Sequence, residues 1–327
     1  MNKGKVVTTI GAILLTTGVI GGAYSGVIAF PKVMSNMQNA ESSLNKEEVL
    51  YKGQINLTKL NINAKRSNVT IRKYDGQNVI VERGGDKTIS TITAKENGNE
   101  LNITEEAIIN QNYGKNIDDM VKNFVNHMYL SHHSEITVYI PNNVDINVKT
   151  YHGRLNVYDS NINNLNFNTS SGRLELNENC HINNLNIKSD DFIQLQIGEL
   201  YRLNNLNVDC YSINLYKGDA VSDESSIPEN INIVANGDFD DMVVDIDSNL
   251  PIAKNLKITS NGNVGLNLPI LDYKFNFDIK ALNGISFDSN SKDKLDKNNF
   301  NGVINENPKD NTSDYFVTIK SKSVIFE

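Results

Sequence analysis

A short asparagine-rich segment recurs at nearly constant spacing along the 327-residue chain. Three close copies stand at 163–167, 183–187 and 204–208, so the offsets are 20 and 21 residues. Looser copies stand at 60–64, 143–148, 230–233, 254–258 and 275–279. Apolar and polar side chains alternate within each copy, which is the period of a β-strand. A strand-rich repeat of this length predicts a β-solenoid, in which stacked coils bury a shared apolar ladder.

The polar positions of the repeat are mostly asparagine, which makes up 52 of the 327 residues. Coils stacked about 4.8 Å apart would bring matched amides into columns, where they can hydrogen-bond from coil to coil. Asn147, Asn166, Asn186 and Asn207 are predicted to form one such column. An AT-rich genome would also enrich asparagine, and the sequence does not separate the two causes.

Turns and interruptions complete the predicted fold. A glycine follows many copies, as at Gly153 and Gly172, and is expected to supply the positive φ of a tight reversal. Apolar residues at helical spacing predict an inserted amphipathic helix at about 116–130. The polar stretch 288–314 predicts a long mobile loop. The fold class is therefore all-β, a β-solenoid-like stack of short strands with repeats of about 20–25 residues, joined to the inserted helix and to an N-terminal transmembrane helix.

That N-terminal helix is predicted from an uncharged stretch between Val6 and Phe30. A helix over 6–30 would be about 37 Å long, enough for a hydrocarbon core of about 30 Å. Lysines precede the span, which favours a cytoplasmic stub at 1–5. We therefore expect a single-pass cell-membrane protein with a cytoplasmic N-terminus, a tether at 31–50 and an extracytoplasmic β-repeat domain at 51–327.

Two features of the predicted span leave alternatives open. Ala23-Tyr24-Ser25 fits a signal-peptidase site, so the stretch is either an anchor or a cleaved signal peptide. Gly18, Gly22 and Gly26 form a small-residue face through which two copies could self-associate. Glycine is also simply common in membrane helices.

The charge balance and the cysteines restrict the partners. The net charge is −8, and beyond residue 32 the chain holds 28 basic and 39 acidic residues. Because there is no basic stripe, nucleic acid is not an expected partner, whereas a cationic peptide would be attracted. Cys180 and Cys210 occupy different phases of the repeat, which predicts buried free thiols rather than a disulfide.

Arg154 and Arg173 are the candidate ligand-binding residues. They occupy equivalent repeat positions 19 residues apart, so stacked coils would bring them together to hold a sulfate, phosphate, carboxylate or glycan. The alternative is that Glu175 and Asp159 neutralise them. The histidines and aspartates lack metal-ligand spacing, and no motif for a nucleophile or a phosphate loop is present. We therefore expect no catalytic residue, metal or cofactor.

Several motifs of the repeat region match one known family. They are the strand pair at 60–64 and 67–71, the segment Ile136-Thr137-Val138-Tyr139-Ile140-Pro141, and the turns at Gly153 and Gly172. With the apolar N-terminal span, they make the chain resemble DUF4097, the β-strand-repeat "putative adhesin" family of Gram-positive and related bacteria. The resemblance implies a strand repeat in the cell envelope without known catalytic residues. Some relatives are tied to envelope-stress and antimicrobial-peptide responses.

The functional prediction combines these inferences. We expect a non-enzymatic, membrane-anchored cell-envelope protein that acts as an interaction or envelope-stress sensing module. Its expected partners are the membrane and another envelope protein or a cationic peptide. A surface adhesin and a carbohydrate-active β-helix enzyme are the alternatives, and the enzyme reading rests on fold analogy alone.

Overall fold

The computed structural model describes residues 47–76, 78–85, 90–107, 134–177, 179–218, 227–238, 242–287, 294–295, 298–304 and 314–326. The chain divides into two compact units. The larger comprises 48–83, 92–106 and 135–327, and the smaller comprises 1–47, 84–91 and 107–134. The larger unit contains the repeat. The predicted stub, transmembrane span, glycine face and amphipathic helix, and most of the predicted tether, lie outside the described residues.

Alternating burial defines the strands, because every second side chain is apolar and points into the core. In chain order the strands are β1 (Glu48–Gly53), β2 (Lys59–Asn63), β3 (Asn68–Lys73), β4 (Val79–Gly84), β5 (Ser90–Asn97), β6 (Glu100–Ala107), β7 (Glu135–Ile140), β8 (Val144–Thr150), β9 (Leu155–Tyr158), β10 (Asn161–Thr169), β11 (Leu174–Leu176), β12 (His181–Ser189), β13 (Phe192–Gln196), β14 (Leu203–Cys210), β15 (Ser212–Tyr216), β16 (Asn230–Ala235), β17 (Met242–Asp247), β18 (Asn255–Ser260), β19 (Asn263–Asn267), β20 (Phe275–Ala281), β21 (Ile285–Phe287), β22 (Lys294–Leu295), β23 (Asn299–Ile304), β24 (Tyr315–Ser321) and β25 (Ser323–Phe326). One short helix, α1 (Ile197–Leu200), joins them within the described residues.

These strands form three sheets. The long sheet has twelve strands in the order β23-β20-β24-β18-β16-β14-β12-β10-β8-β2-β6-β5. The first short sheet has the order β1-β4-β7-β3-β9-β11, and the second short sheet has the order β13-β15-β17-β19-β25-β21-β22. A typical coil therefore places one strand in the long sheet and the next strand in a short sheet. Neighbouring coils pair in parallel from β8 to β18, which confirms the predicted stack of strands.

The sequence copies pair in register, so the apolar positions form continuous ladders. Leu165 stands opposite Leu185, which stands opposite Leu206. All three are at most 1% exposed. Burying a leucine side chain stabilises the fold by about 1.5–3 kcal/mol. Each added coil buries several apolar side chains and adds a similar contribution for each of them.

Coil order departs from chain order at both ends of the long sheet. Strand β2 lies between β6 and β8, and β24 lies between β18 and β20. Both insertions preserve register, because β2 and β24 present the same alternation of apolar and polar side chains as their neighbours. The sequence left open whether 51–104 belongs to the stack. The structure places β2 and β6 in it.

Most of the turn glycines serve close approach rather than positive φ. A Cβ at Gly153 would overlap the carbonyl oxygen of Ser67, and one at Gly172 would lie 2.6 Å from the carbonyl oxygen of Gly153. Of the turn glycines Gly153, Gly172, Gly237, Gly262 and Gly284, which follow copies of the repeat, only Gly284 has a positive φ, of 106°. At the C-terminal coil, which lacks the glycine, the Ser321 hydroxyl donates to the carbonyl of Ser323 at 3.0 Å.

Two further expectations are corrected. Strand β23 falls inside the predicted loop 288–314 and pairs with β20, because Phe300 and Ile304 pack against the core. In the described part of the chain no helix is long or apolar enough to cross a bilayer. The described helix, α1, has four residues. This finding contradicts the predicted single-pass membrane localisation, which is withdrawn.

Candidate functional site

The outer face of the long sheet carries a ladder of asparagine amides. Asn186 donates to Asn166 at 2.8 Å, and Asn166 donates to Asn147 at 2.7 Å. The ladder continues on both sides: Asn207 donates to Asn186 at 2.9 Å, Asn147 to Asn61 at 2.8 Å, and Asn61 to Asn102 at 2.9 Å. The predicted column Asn147, Asn166, Asn186 and Asn207 is confirmed and extends over two further strands.

A second ladder runs beside the first on the same face. Its residues are Asn255, Asn230, Asn205, Asn184, Asn164 and Asp145. Each amide again donates towards the same end of the sheet, and the last acceptor is a carboxylate, 2.8 Å from the Asn164 amide nitrogen. Aligned amides strengthen one another, and the negative charge of Asp145 terminates the row at its acceptor end. We call the surface formed by the two ladders the amide face.

Most amides inside the ladders leave half of their hydrogen-bonding capacity unused. An asparagine side chain has two N–H groups and an oxygen with two lone pairs, and a position inside a ladder uses one of each. Asn61, Asn205 and Asn255 donate a further hydrogen bond, to Glu100 or to a backbone carbonyl. The remaining donor and acceptor are held at fixed orientation and repeat at the strand spacing of about 4.8 Å. The amide face is therefore a rigid array that can both donate and accept.

One end of the amide face is indented by a groove of about 420 Å³. It crosses β6, β2, β8 and β10, and the polar side chains that line it are Asn61, Asn63, Asn102, Thr104, Asn147, Lys149, Asn166 and Asn168. Lys149 and Asn168 stand opposite each other in register and are exposed. Since seven of these eight side chains are uncharged, the groove selects for hydrogen bonding more than for charge.

The predicted arginine pair is brought together, but a carboxylate lies between its members. Glu175 Oε1 is 3.4 Å from Arg154 Nη1 and 3.2 Å from Arg173 Nε. The arginine side chains are about half exposed, so these ion pairs contribute roughly 0–1 kcal/mol. Asp159, the other proposed neutralising residue, accepts a hydrogen bond from Asn179 at 2.8 Å. Ligand binding by the arginines remains a prediction.

A cavity of about 220 Å³ adjoins Arg173, where the first short sheet ends at β11 and the second begins at β13. Glu199 on α1 accepts the backbone N–H groups of Leu176 at 3.0 Å and Gln196 at 2.9 Å. The Arg202 guanidinium donates to the carbonyl of Leu176. These two side chains thus pair with the backbone N–H and carbonyl groups of Leu176 at the edge of β11, where another strand would otherwise do so. Burial raises the pKa of Glu199 although these bonds and Arg202 oppose the rise.

Glu105 is a buried carboxylate that sequence reasoning missed. Its oxygens accept the backbone N–H groups of Lys65, Arg66 and Ser67 at 2.7, 3.0 and 3.1 Å, and the Ser67 hydroxyl at 2.8 Å. Burial acts to raise its pKa, but the four hydrogen bonds outweigh it and hold the pKa below the ordinary value. The signal was a glutamate at a position where most other copies of the repeat carry a small residue, such as Thr150.

Both cysteines are free and buried, as predicted. The Cys180 thiol donates to the carbonyl of Val157 at 2.9 Å. Burial raises the pKa of the Cys180 thiol. Burial, with a smaller effect from Asp209, raises the pKa of Cys210 to about 12. Neither thiol is therefore set up as a nucleophile.

Stacked parallel coils with in-register side-chain ladders define a β-repeat protein of the solenoid-like class. The family profile described as Toastrack DUF4097 matches residues 57–312, and the chain belongs to that family. This confirms the resemblance drawn from the strand motifs and turns.

Three solved structures are similar over most of the chain. A "putative adhesin" from Bacteroides fragilis has 10% identity and a TM-score of 0.43, with 87% of this chain and 98% of that chain covered. A "putative cell adhesion protein" from Clostridium sporogenes has 12% identity and a TM-score of 0.21, with 86% and 97% covered. A "putative lipid binding protein" from Parabacteroides distasonis has 9% identity and a TM-score of 0.40, with 86% and 97% covered. No curated protein matches the sequence.

Proposed function

We propose that the protein is a non-enzymatic binding module whose amide face holds an extended polar polymer, with a glycan strand as the chemical match. The two unbroken asparagine ladders carry this proposal. Hydroxyl and acetamido groups each offer donors and acceptors, so a glycan complements a surface that repeats both. Because the ladders fix the amides before binding, little side-chain entropy is lost when the ligand docks.

The groove is the proposed point of closest contact. Its volume of about 420 Å³ falls within the range of roughly 300–1,000 Å³ that is usual for ligand sites. Asn168 and Lys149 line the groove. Their side chains make no hydrogen bond to any residue that the structure describes, so both remain available to a ligand. The carboxylates Glu175 and Glu199 are instead held by arginines and by backbone N–H groups, which supports binding over catalysis.

Sedimentation of the full chain with insoluble polysaccharides tests the proposal. Chitin, cellulose and purified peptidoglycan serve as probes, and the release of reducing ends is measured in the same samples. We expect at least one polysaccharide to retain the protein without release of reducing ends. Retention should fall at least fivefold in Asn168→Tyr, because the ring would fill the groove.

Lys188→Ala is the matched control, because Lys188 stands opposite Asn168 in the same column but does not line the groove. It should bind as the wild type does. Equal losses in the control and the groove variant, or no retention by any probe, would refute the glycan proposal. Cleavage of a polysaccharide would instead favour the alternative of a carbohydrate-active β-helix enzyme.

The narrower roles depend on which glycan binds. Selective retention on peptidoglycan would support the predicted role in sensing the state of the envelope. Retention on a foreign matrix glycan would support the alternative of an adhesin.

A further inference from the structure

Two lysines face each other directly on the outer face of the long sheet. Lys280 on β20 stands opposite Lys320 on β24 in a parallel pair, and both side chains are exposed. Like charges directly opposite each other on one sheet face are destabilising. Neither ammonium makes an ion pair or a hydrogen bond with any residue that the structure describes.

Four other lysines of the long sheet are placed differently. Lys59, Lys149, Lys188 and Lys257 each stand opposite neutral or acidic residues. At the opposite end of the strands, just before β18 and β20, lysines are neutralised: Lys254 pairs with Glu229 at 2.7 Å, and Lys274 with Asp314 at 3.0 Å. The juxtaposition of Lys280 and Lys320 therefore differs from the arrangement of these four lysines. Such departures are expected at functional sites.

A groove of about 440 Å³ lies beside this pair. Lys322 and the amide residues Asn261, Asn298 and Asn299 also line it. At its rim Leu282 is 79% exposed. We call Lys280, Lys320 and Lys322, with this groove, the lysine corner. It lies across β18, β24, β20 and β23, whereas the groove of the amide face lies across β6, β2, β8 and β10.

We propose that the lysine corner binds a phosphate-type oxyanion. Ammonium groups form charge-assisted hydrogen bonds to anionic oxygens, and the neighbouring amide N–H groups add neutral donors. An anion between Lys280 and Lys320 would offset the repulsion between the two ammonium groups. The protein as a whole carries a net charge of −8 and repels anions. The lysine corner is locally positive and attracts them. The phosphate belongs either to a free ion or to a lipid headgroup whose apolar part contacts Leu282.

Binding of inorganic phosphate to the full chain, measured by equilibrium dialysis at low ionic strength, tests the free-ion source. Sedimentation with vesicles of phosphatidylglycerol, against vesicles of phosphatidylcholine, tests the headgroup source. The double variant Lys280→Gln/Lys320→Gln should weaken binding at least tenfold. The matched control Lys254→Gln/Lys274→Gln removes the same charge from the opposite end of β18 and β20 and should bind within twofold of wild type.

Lysine-dependent binding of either probe supports the proposal, and the probe that binds identifies the source. Leu282→Ser should lower vesicle binding and leave phosphate binding unchanged. The proposal is overturned if the double variant binds as the wild type does, if the control loses as much, or if neither probe binds. A thermal midpoint that falls in the double variant without phosphate would also overturn it, because the repulsion argument requires the midpoint to stay level or rise.

Discussion

Replacing Asn186 by alanine should remove two side-chain hydrogen bonds from the middle of a ladder. Asn186 donates to Asn166 at 2.8 Å and accepts from Asn207 at 2.9 Å. A neutral hydrogen bond contributes about 0.5–1.5 kcal/mol net, and bonds open to water lie at the lower end. We therefore expect Asn186→Ala to reduce the free energy of unfolding by about 1–2 kcal/mol.

Two matched variants isolate the ladder from the substitution itself. Asn207→Ala removes one recorded ladder bond and should cost about half as much. Asn168→Ala, on the same face, removes no recorded side-chain hydrogen bond and should cost close to nothing. Equilibrium urea unfolding measures the three free energies, and similar slopes show that the denatured states are comparable.

The order of the three costs is the critical result. If Asn186→Ala and Asn168→Ala differ by less than about 0.3 kcal/mol, the amides exchange their ladder bonds for water without loss, and the argument for a rigid amide face fails. A double-mutant cycle between Asn186 and Asn166 should give a coupling energy of about 0.5–1 kcal/mol.

Three further outcomes follow from other parts of the larger unit. Glu105→Gln should destabilise the fold by roughly 2–4 kcal/mol at pH 7, as measured by urea unfolding. Because the folded pKa of Glu105 is lowered, its contribution to stability should be present above the unfolded pKa of about 4.3 and lost as the pH falls. A difference between wild type and variant that is unchanged at pH 3 would contradict this. Because the pKa of Cys210 is raised to about 12, the contribution of this thiol to stability should be present below the unfolded pKa of about 8.5 and lost as the pH rises. A thiol reagent should react with Cys210 only after urea unfolding. Fast reaction with the native protein would argue against burial. Deleting residues 315–326 should remove hydrogen-exchange protection from β20, which pairs with β24, while β12 keeps its protection; retained protection in β20 would show that its antiparallel pairing with β23 suffices.

The repeat allowed the strands and one ladder to be predicted, because register between identical segments follows from the match itself. Asn166 and Asn186 had to coincide once Leu165 and Leu185 stacked. Coil order could not be predicted in the same way. A parallel strand pairs equally well with any coil that presents the same alternation, so the insertion of β24 between β18 and β20 has no signature in the spacing.

The binding surfaces were harder to predict for a related reason. Arg154 and Arg173 were correctly placed side by side, but the sequence left open whether Glu175 neutralises them, and the structure shows it between them. The opposition of Lys280 and Lys320 depends on the inserted coil. It is invisible in a sequence where the two residues are 40 positions apart.

Recognition can be tested apart from stability on the amide face, because two residues that line its groove lie outside the ladders. The ladder residues Asn147, Asn166 and Asn186 each use one donor and one acceptor on neighbouring coils, so changing them disturbs both the stack and the array. Lys149 and Asn168 spend neither on a described residue, yet they line the groove. Binding of a polymer in the groove should therefore depend on these two residues, whereas folding of the protein should not. If variants of Lys149 and Asn168 lost binding and stability together, the face would be better understood as a structural surface alone.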